Sequence, residues 1–146
     1  MKAKTKIKSE PTVSYLLFSV GEDRFAIDAQ NVRRIAKWIA PIEMPGAGHE
    51  NISVVEVENE ISVMFRIEDL LPQKPSNFNY LILTIHPQAN VAVSATNVFD
   101  LSAIPESAIK NTPQVIKNPY NYRVFEKSFV DDKGIVVILD VRQLKL

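Results

Sequence analysis

The sequence predicts a mostly β fold, and three observations carry that prediction. Apolar residues recur with a period of two between Ser53 and Ile67. Short runs rich in β-branched and aromatic residues follow one another along the chain, bounded by turn-forming residues. No stretch between them sustains a long helical period, which favours barrels or a sandwich over a doubly wound α/β fold. With 146 residues, 46% of them hydrophobic, the chain can bury a real core as one domain or as two small lobes.

The elements follow in chain order. The first twelve residues set Lys2, Lys4, Lys6 and Lys8 against Glu10 with no apolar run, so residues 1–12 are expected to be a disordered basic tail and residues 13–146 the domain. Val13 to Val20 reads as a strand, Gly21 to Arg24 as a turn, and Phe25 to Ile27 as the returning strand. Asp28 can cap a short helical turn through Ala29, Gln30 and Asn31. Beyond it, Val32, Ile35 and Trp38 or Ile39 fit a helix or a strand equally well. Pro41, Pro45, Gly46 and Gly48 predict a loop.

Ser53 to Ile67 predicts a hairpin with Val55 and Val57 inward, Glu56 and Glu58 outward, and Ile61, Val63, Phe65 and Ile67 continuing the inward set. Asn59 marks the tip, since asparagine tolerates positive φ. Leu70 to Asn79 reads as a connector. Further strands are expected at Tyr80 to Ile85, Val91 to Val98 and Gly134 to Val141, with a polar, proline-containing stretch from Ser102 to Asn121. Leu81, Leu83, Val137 and Leu139 join the expected core, because alternation assigns them to inward faces.

Composition excludes several function classes. The 17 basic residues balance 17 acidic ones, which disfavours a phosphate-rich partner. Absence of cysteine removes disulfides and thiolate chemistry and fits a cytoplasmic location. The longest apolar runs, such as Ile135 to Leu139, fall far short of the roughly 20 residues that cross a bilayer, and the tail lacks a signal-peptide core. His49 and His86 have no metal-ligand spacing, and no phosphate loop or nucleophile elbow is present. No catalytic residue, metal ligand or cofactor is therefore expected. Glu56, Glu58 and Glu60 read as a solvated strand face open to a partner. Trp38, beside Lys37 and Pro41, reads as a ring at a lobe junction or a contact residue.

Taken together in order, these segments resemble the CheW-like family of bacterial chemotaxis adaptors. The resemblance rests on Tyr15 to Asp28 (YLLFSVGEDRFAID), Val32-x-x-Ile35, and Met44 to Ala47 (MPGA). Val91 to Val98 (VAVSATNV), Ile104 to Ile109 (IPESAI) and Asp132 to Leu144 (DKGIVVILDVRQL) extend it through the C-terminal half. It implies two small intertwined SH3-like or OB-like β-barrel lobes. It also implies a non-catalytic adaptor that binds chemoreceptor cytoplasmic tips, a histidine kinase of the CheA type, or both. The alternative that the residues leave open is a small β-barrel module that binds a small ligand or nucleic acid.

Against the family pattern, the departures are concentrated in two places. Where the family usually reads G-V-I-N-L-R-G, this chain has Ser53 to Asn59 (SVVEVEN), and where it reads V-x-E-[IV] this chain has Val32 to Ile35 (VRRI). The usual P-V-I-D-L after the hairpin is Val63 to Ile67 (VMFRI). The resemblance thus sets Arg34 in place of an acid and Glu58 in place of an arginine, at positions it implies are neighbours. Arg34 and Glu58 are expected to have exchanged sign as a unit and to lie within ion-pair reach. Val32, Arg34, Ile35, Glu56, Val57, Glu58 and Asn59 are the expected partner-binding residues.

Overall fold

The computed structural model describes residues 10–46, 48, 51–71, 77–113 and 123–144. Among these residues twelve strands run in the order β1 (Thr12–Val20), β2 (Asp23–Asp28), β3 (Val32–Lys37), β4 (Ile42–Pro45), β5 (Asn51–Val57), β6 (Glu60–Phe65), β7 (Tyr80–Ile85), β8 (Asn90–Ala95), β9 (Asn97–Pro105), β10 (Lys110–Asn111), β11 (Lys127–Asp131) and β12 (Gly134–Ile138). They form two six-stranded sheets, ordered β10-β11-β12-β2-β1-β9 and β3-β7-β8-β6-β5-β4. The first sheet takes its strands from both ends of the chain and the second from the middle, so the two lobes are intertwined as the family resemblance implies.

The crossover back to the first sheet is made at Thr96. Its N–H donates to the Ser19 carbonyl at 2.8 Å, and its hydroxyl accepts from the Gly21 N–H at 2.8 Å. Gly21 has φ 60, the left-handed conformation that the tight β1–β2 turn requires and glycine adopts without penalty. Asn79 Nδ2 donates to the Thr96 carbonyl at 2.9 Å, tying the entry to β7 to the same point.

Strand alternation feeds three apolar clusters. In β1, Tyr15 joins the interior of the first lobe, whereas Leu16, Phe18 and Val20 point into a central cluster between the sheets. In β12, Val136 and Ile138 go to the first lobe and Val137 to the central cluster. In β7, Leu81 and Leu83 fill the second lobe with Val55, Met64 and Ala92, while Ile82 joins Val91 and Val93 centrally. The inner strands of both sheets are therefore apolar on both faces, one filling a lobe and the other joining the lobes.

The predicted strands β1, β2 and β7 are found within a residue or two, and Asp28 caps the short helical turn at Ala29–Asn31 by accepting from the Gln30 N–H at 2.9 Å. The ambiguous segment after it is strand β3. Four expectations need correction. The predicted loop at Pro41 to Gly48 contains β4, which tolerates Pro45 because it is the terminal strand of its sheet and pairs only with β5. The run from Val91 to Val98 is two strands in different sheets, and β9 carries on through Pro105 into what reads as a polar stretch. The expected tail boundary falls inside ordered structure. Thr12 pairs with Pro105, the Pro11 carbonyl accepts from the Glu106 N–H at 3.0 Å, and Glu10 accepts from the Ser107 N–H at 3.1 Å. Residues 1–9 and His49 lie outside the described residues.

The fourth correction concerns the hairpin. Val55, Ile67, Leu81, Leu83, Val137 and Leu139 are buried as expected, but Val57, Val63 and Phe65 are half-buried and Ile61 is 63% exposed. The reason is parity. The tip is a two-residue turn, Glu58-Asn59, so Val57 pairs with Glu60 and Val55 with Ser62. Odd positions on β5 therefore share a face with even positions on β6, and Met64, not Ile61 or Val63, fills the second lobe beside Val55.

Candidate partner-binding site

The site is built where β3, one end of the second sheet, meets the β5–β6 turn. The two are far apart in strand order, and side chains bridge them. β3 pairs with β7, but the register shifts between Val32, opposite Thr84, and Arg34, opposite Leu83. Arg33 is the extra residue of this irregularity, which re-aims the side chains around it.

Both arginines reach the hairpin. Arg34 Nη1 donates to Glu58 Oε2 in a close ion pair. Arg33 grips Glu60 with both guanidinium branches, Nη1 to Oε1 at 2.5 Å and Nη2 to Oε2 at 3.0 Å. The hydrogen bond from Arg34, then its charge, holds the Glu58 carboxyl below the usual carboxylate range, and Arg33 does the same to Glu60. Each guanidinium is in turn raised by its carboxylate. Glu58 and Asn59 have φ 50 and 69, the paired left-handed conformation of a tight hairpin turn built without glycine.

The expected partner-binding residues thus separate into groups. Arg34 and Glu58 are joined, as expected. Asn59 sits exposed at the tip beside them. Ile35 is 43% exposed on the sheet's other side, opposite Ile82. Val32 is half-buried against the central cluster and Val57 against the second-lobe interior, so neither offers a full apolar face. Glu56 is exposed, lies opposite Ile61 on the outer side of the hairpin, and has no ion pair among the described residues.

The Arg33–Glu60 pair was not foreseen. Its only signal in the sequence is that Arg33 adjoins Arg34 and Glu60 lies two residues beyond Glu58, and the irregular register that brings both arginines to the tip has no sequence signature. A third network, in which Arg66 Nη2 donates to Ser53 Oγ at 3.1 Å and to Glu43 at 3.3 Å, ties β4 and β5 to the segment after β6.

The remaining candidates are structural. His86 accepts at Nδ1 from the Gln88 N–H at 3.0 Å, so its Nε2 is the donor to the Leu144 carbonyl at 2.8 Å. Trp38 is half-buried, donates from Nε1 to Ser94 Oγ at 3.3 Å and stacks near Phe78. It is a packing residue of the second lobe. Among the described residues no group of three or more His, Cys, Asp or Glu side chains is placed to hold a metal ion, and no helix is long and apolar enough to cross a membrane.

A family model described as "CheW-like domain" matches residues 14–145. The fold is similar to that of the scaffolding protein TtCheW from Thermoanaerobacter tengcongensis, with a TM-score of 0.75 and 13% sequence identity over 96% of this chain and 92% of that one. No curated protein matches the sequence.

Proposed function

The chain belongs to the CheW-like domain family, and from that premise we propose that it is a cytoplasmic, non-catalytic adaptor in chemotaxis-type signal transduction with a rewritten partner surface. Its partners are chemoreceptor cytoplasmic tips, a CheA-type histidine kinase, or a specialised relative of either. The observation that carries this reading is the Arg34–Glu58 ion pair. The two residues stand where the family resemblance sets an acid and an arginine, and they meet with their signs exchanged. A lone reversal would set like charges together, whereas the double reversal keeps the attraction and inverts the polarity that a partner meets.

The partner-facing groups are Arg34, Glu58 and Asn59 at the tip, with Ile35 and Glu56 flanking them. Glu58 and Glu60 are already neutralised by their arginines, so the uncompensated charge offered to a partner is Glu56. A partner shaped for an asparagine at that position finds an acceptor without a donor, and mismatched polar groups at an interface suppress wrong partners. The native partner presents a donor or a cation there.

Affinity purification of the tagged protein from its native lysate tests this. Recovery of receptor or histidine-kinase fragments, reduced by Arg34→Glu and by Glu58→Arg singly, is the expected result. Co-purified nucleotide or RNA without such fragments would overturn the adaptor reading.

A further inference from the structure

The second sheet leaves part of one face exposed at β4, β5 and β6. Residues directly opposite one another on neighbouring strands share a face, which lines up Met44 with Ile52, then Ile42 with Val54 and Val63, then Glu56 with Ile61. Of these, Ile42 is 62% exposed, Ile61 63%, Met44 45% and Ile52 39%, set around a buried Val54. The same face of the sheet further along, at β7 and β8, is closed by the first lobe through Ile82, Val91 and Val93. At β6, Phe65 still packs against that cluster and Val54 on β5 is buried, but the four large apolar side chains around them remain exposed. Four exposed large apolar side chains on three adjacent strands form the kind of contiguous patch that marks an interaction surface.

We propose that this face docks an extended segment of another protein that carries two apolar residues and a lysine or arginine at alternate positions. The spacing comes from β5, whose residues 52, 54 and 56 head the three rows. An extended chain laid along that strand has side chains of one face about 7 Å apart, so apolar-x-apolar-x-cation matches the rows in order. The charge follows from Glu56, which has no ion-pair or hydrogen-bond partner among the described residues and is the one ionic residue in these rows of β4, β5 and β6. Charge also decides against a second copy of this chain. A two-fold contact of the patch with itself would bury Glu56 where the patch supplies no cation, and burying an unpaired charge is costly. The cation opposite Glu56 rests on the partner surface proposed above, whereas the apolar rows stand on this sheet face alone, so peptide binding without recovery of receptor or kinase fragments from lysate separates the two readings.

The test uses the full-length protein labelled with nitrogen-15 and a short synthetic peptide with the core Ile-Thr-Val-Thr-Lys, titrated into the millimolar range. Saturable amide shifts confined to β4, β5 and β6 are expected. Glu56→Lys should weaken the lysine peptide at least about tenfold and favour the same peptide with glutamate in place of lysine. Ile61→Ser should weaken both peptides while leaving the spectrum folded. Absence of saturable shifts on this face, equal affinity of wild type and Glu56→Lys for the lysine peptide, or concentration-dependent dimerisation abolished by Ile61→Ser would each overturn the proposal.

Discussion

At the scale of single residues, the hairpin tip concentrates the unusual backbone and the unusual charge. Asn59 holds φ 69, which asparagine tolerates and a β-branched residue does not. Asn59→Val should therefore cost about 1–2 kcal/mol in a urea titration, and Asn59→Gly should be neutral or stabilising. Arg34 and Glu58 form a testable couple. Arg34→Glu or Glu58→Arg alone sets like charges face to face and should lower the denaturation midpoint, while the double exchange should recover most of the loss. Additive effects of the two single changes would show that the pair is not coupled. Asn59 was legible because few residues accept positive φ, and the pair was legible from the family pattern. The partnership of Arg33 with Glu60 was not, because it depends on an irregular register between β3 and β7 that leaves no mark in the composition of either strand.

Among the elements, the hairpin shows how one turn inverts a face assignment. Period-two alternation made β5 and β6 plain as strands, but the inward set on β6 depends on turn length, and a two-residue turn carries odd positions on one strand to even positions on the other. Met64→Ala should cost about 2–5 kcal/mol as a core truncation. Ile61→Ala should stay within roughly 0.5 kcal/mol. The reverse order, read by chemical denaturation, would contradict the register described above. β9 and β10 were less visible, since β9 becomes strand by pairing with β1, which is distant in the chain, and β10 is two polar residues that form strand only against β11. Arg24 on β2 and Asp131 at the end of β11 illustrate such a long-range tie. The guanidinium donates to both carboxylate oxygens, at 2.7 and 2.5 Å, and holds the Asp131 carboxyl at about 2 against an ordinary 3.8. A carboxylate depressed in this way adds stability above its unfolded value and loses it as pH falls through its folded value. The stability difference between wild type and Asp131→Asn should thus be full above pH 3.8 and vanish as pH approaches 2. A difference independent of pH across that range would show that Asp131 acts by packing alone.

For the molecule as a whole, two sheets drawn from interleaved parts of the chain are locked by one central cluster, and the proposed partner surface is mounted on the second sheet where its end strand meets its hairpin. The mostly β class and the two-lobed arrangement were legible in alternation and family resemblance. Burial on both faces of the inner strands was not, because a strand with apolar residues on each side reads the same whether its second face meets another sheet or the same lobe. Under the proposed function, the reversed Arg34–Glu58 pair and the added Glu56 carboxylate insulate this protein from an ordinary kinase. Glu58→Arg alone should not restore coupling, since the new arginine would meet Arg34, and exchange of both signs is the smallest change with the right polarity. The direct test is the affinity of the wild-type protein for a CheA-type kinase whose own adaptor carries the usual acid and arginine, measured by calorimetry at physiological salt. Binding weaker than micromolar is expected, and a micromolar or tighter dissociation constant would show that the reversed pair does not insulate the protein.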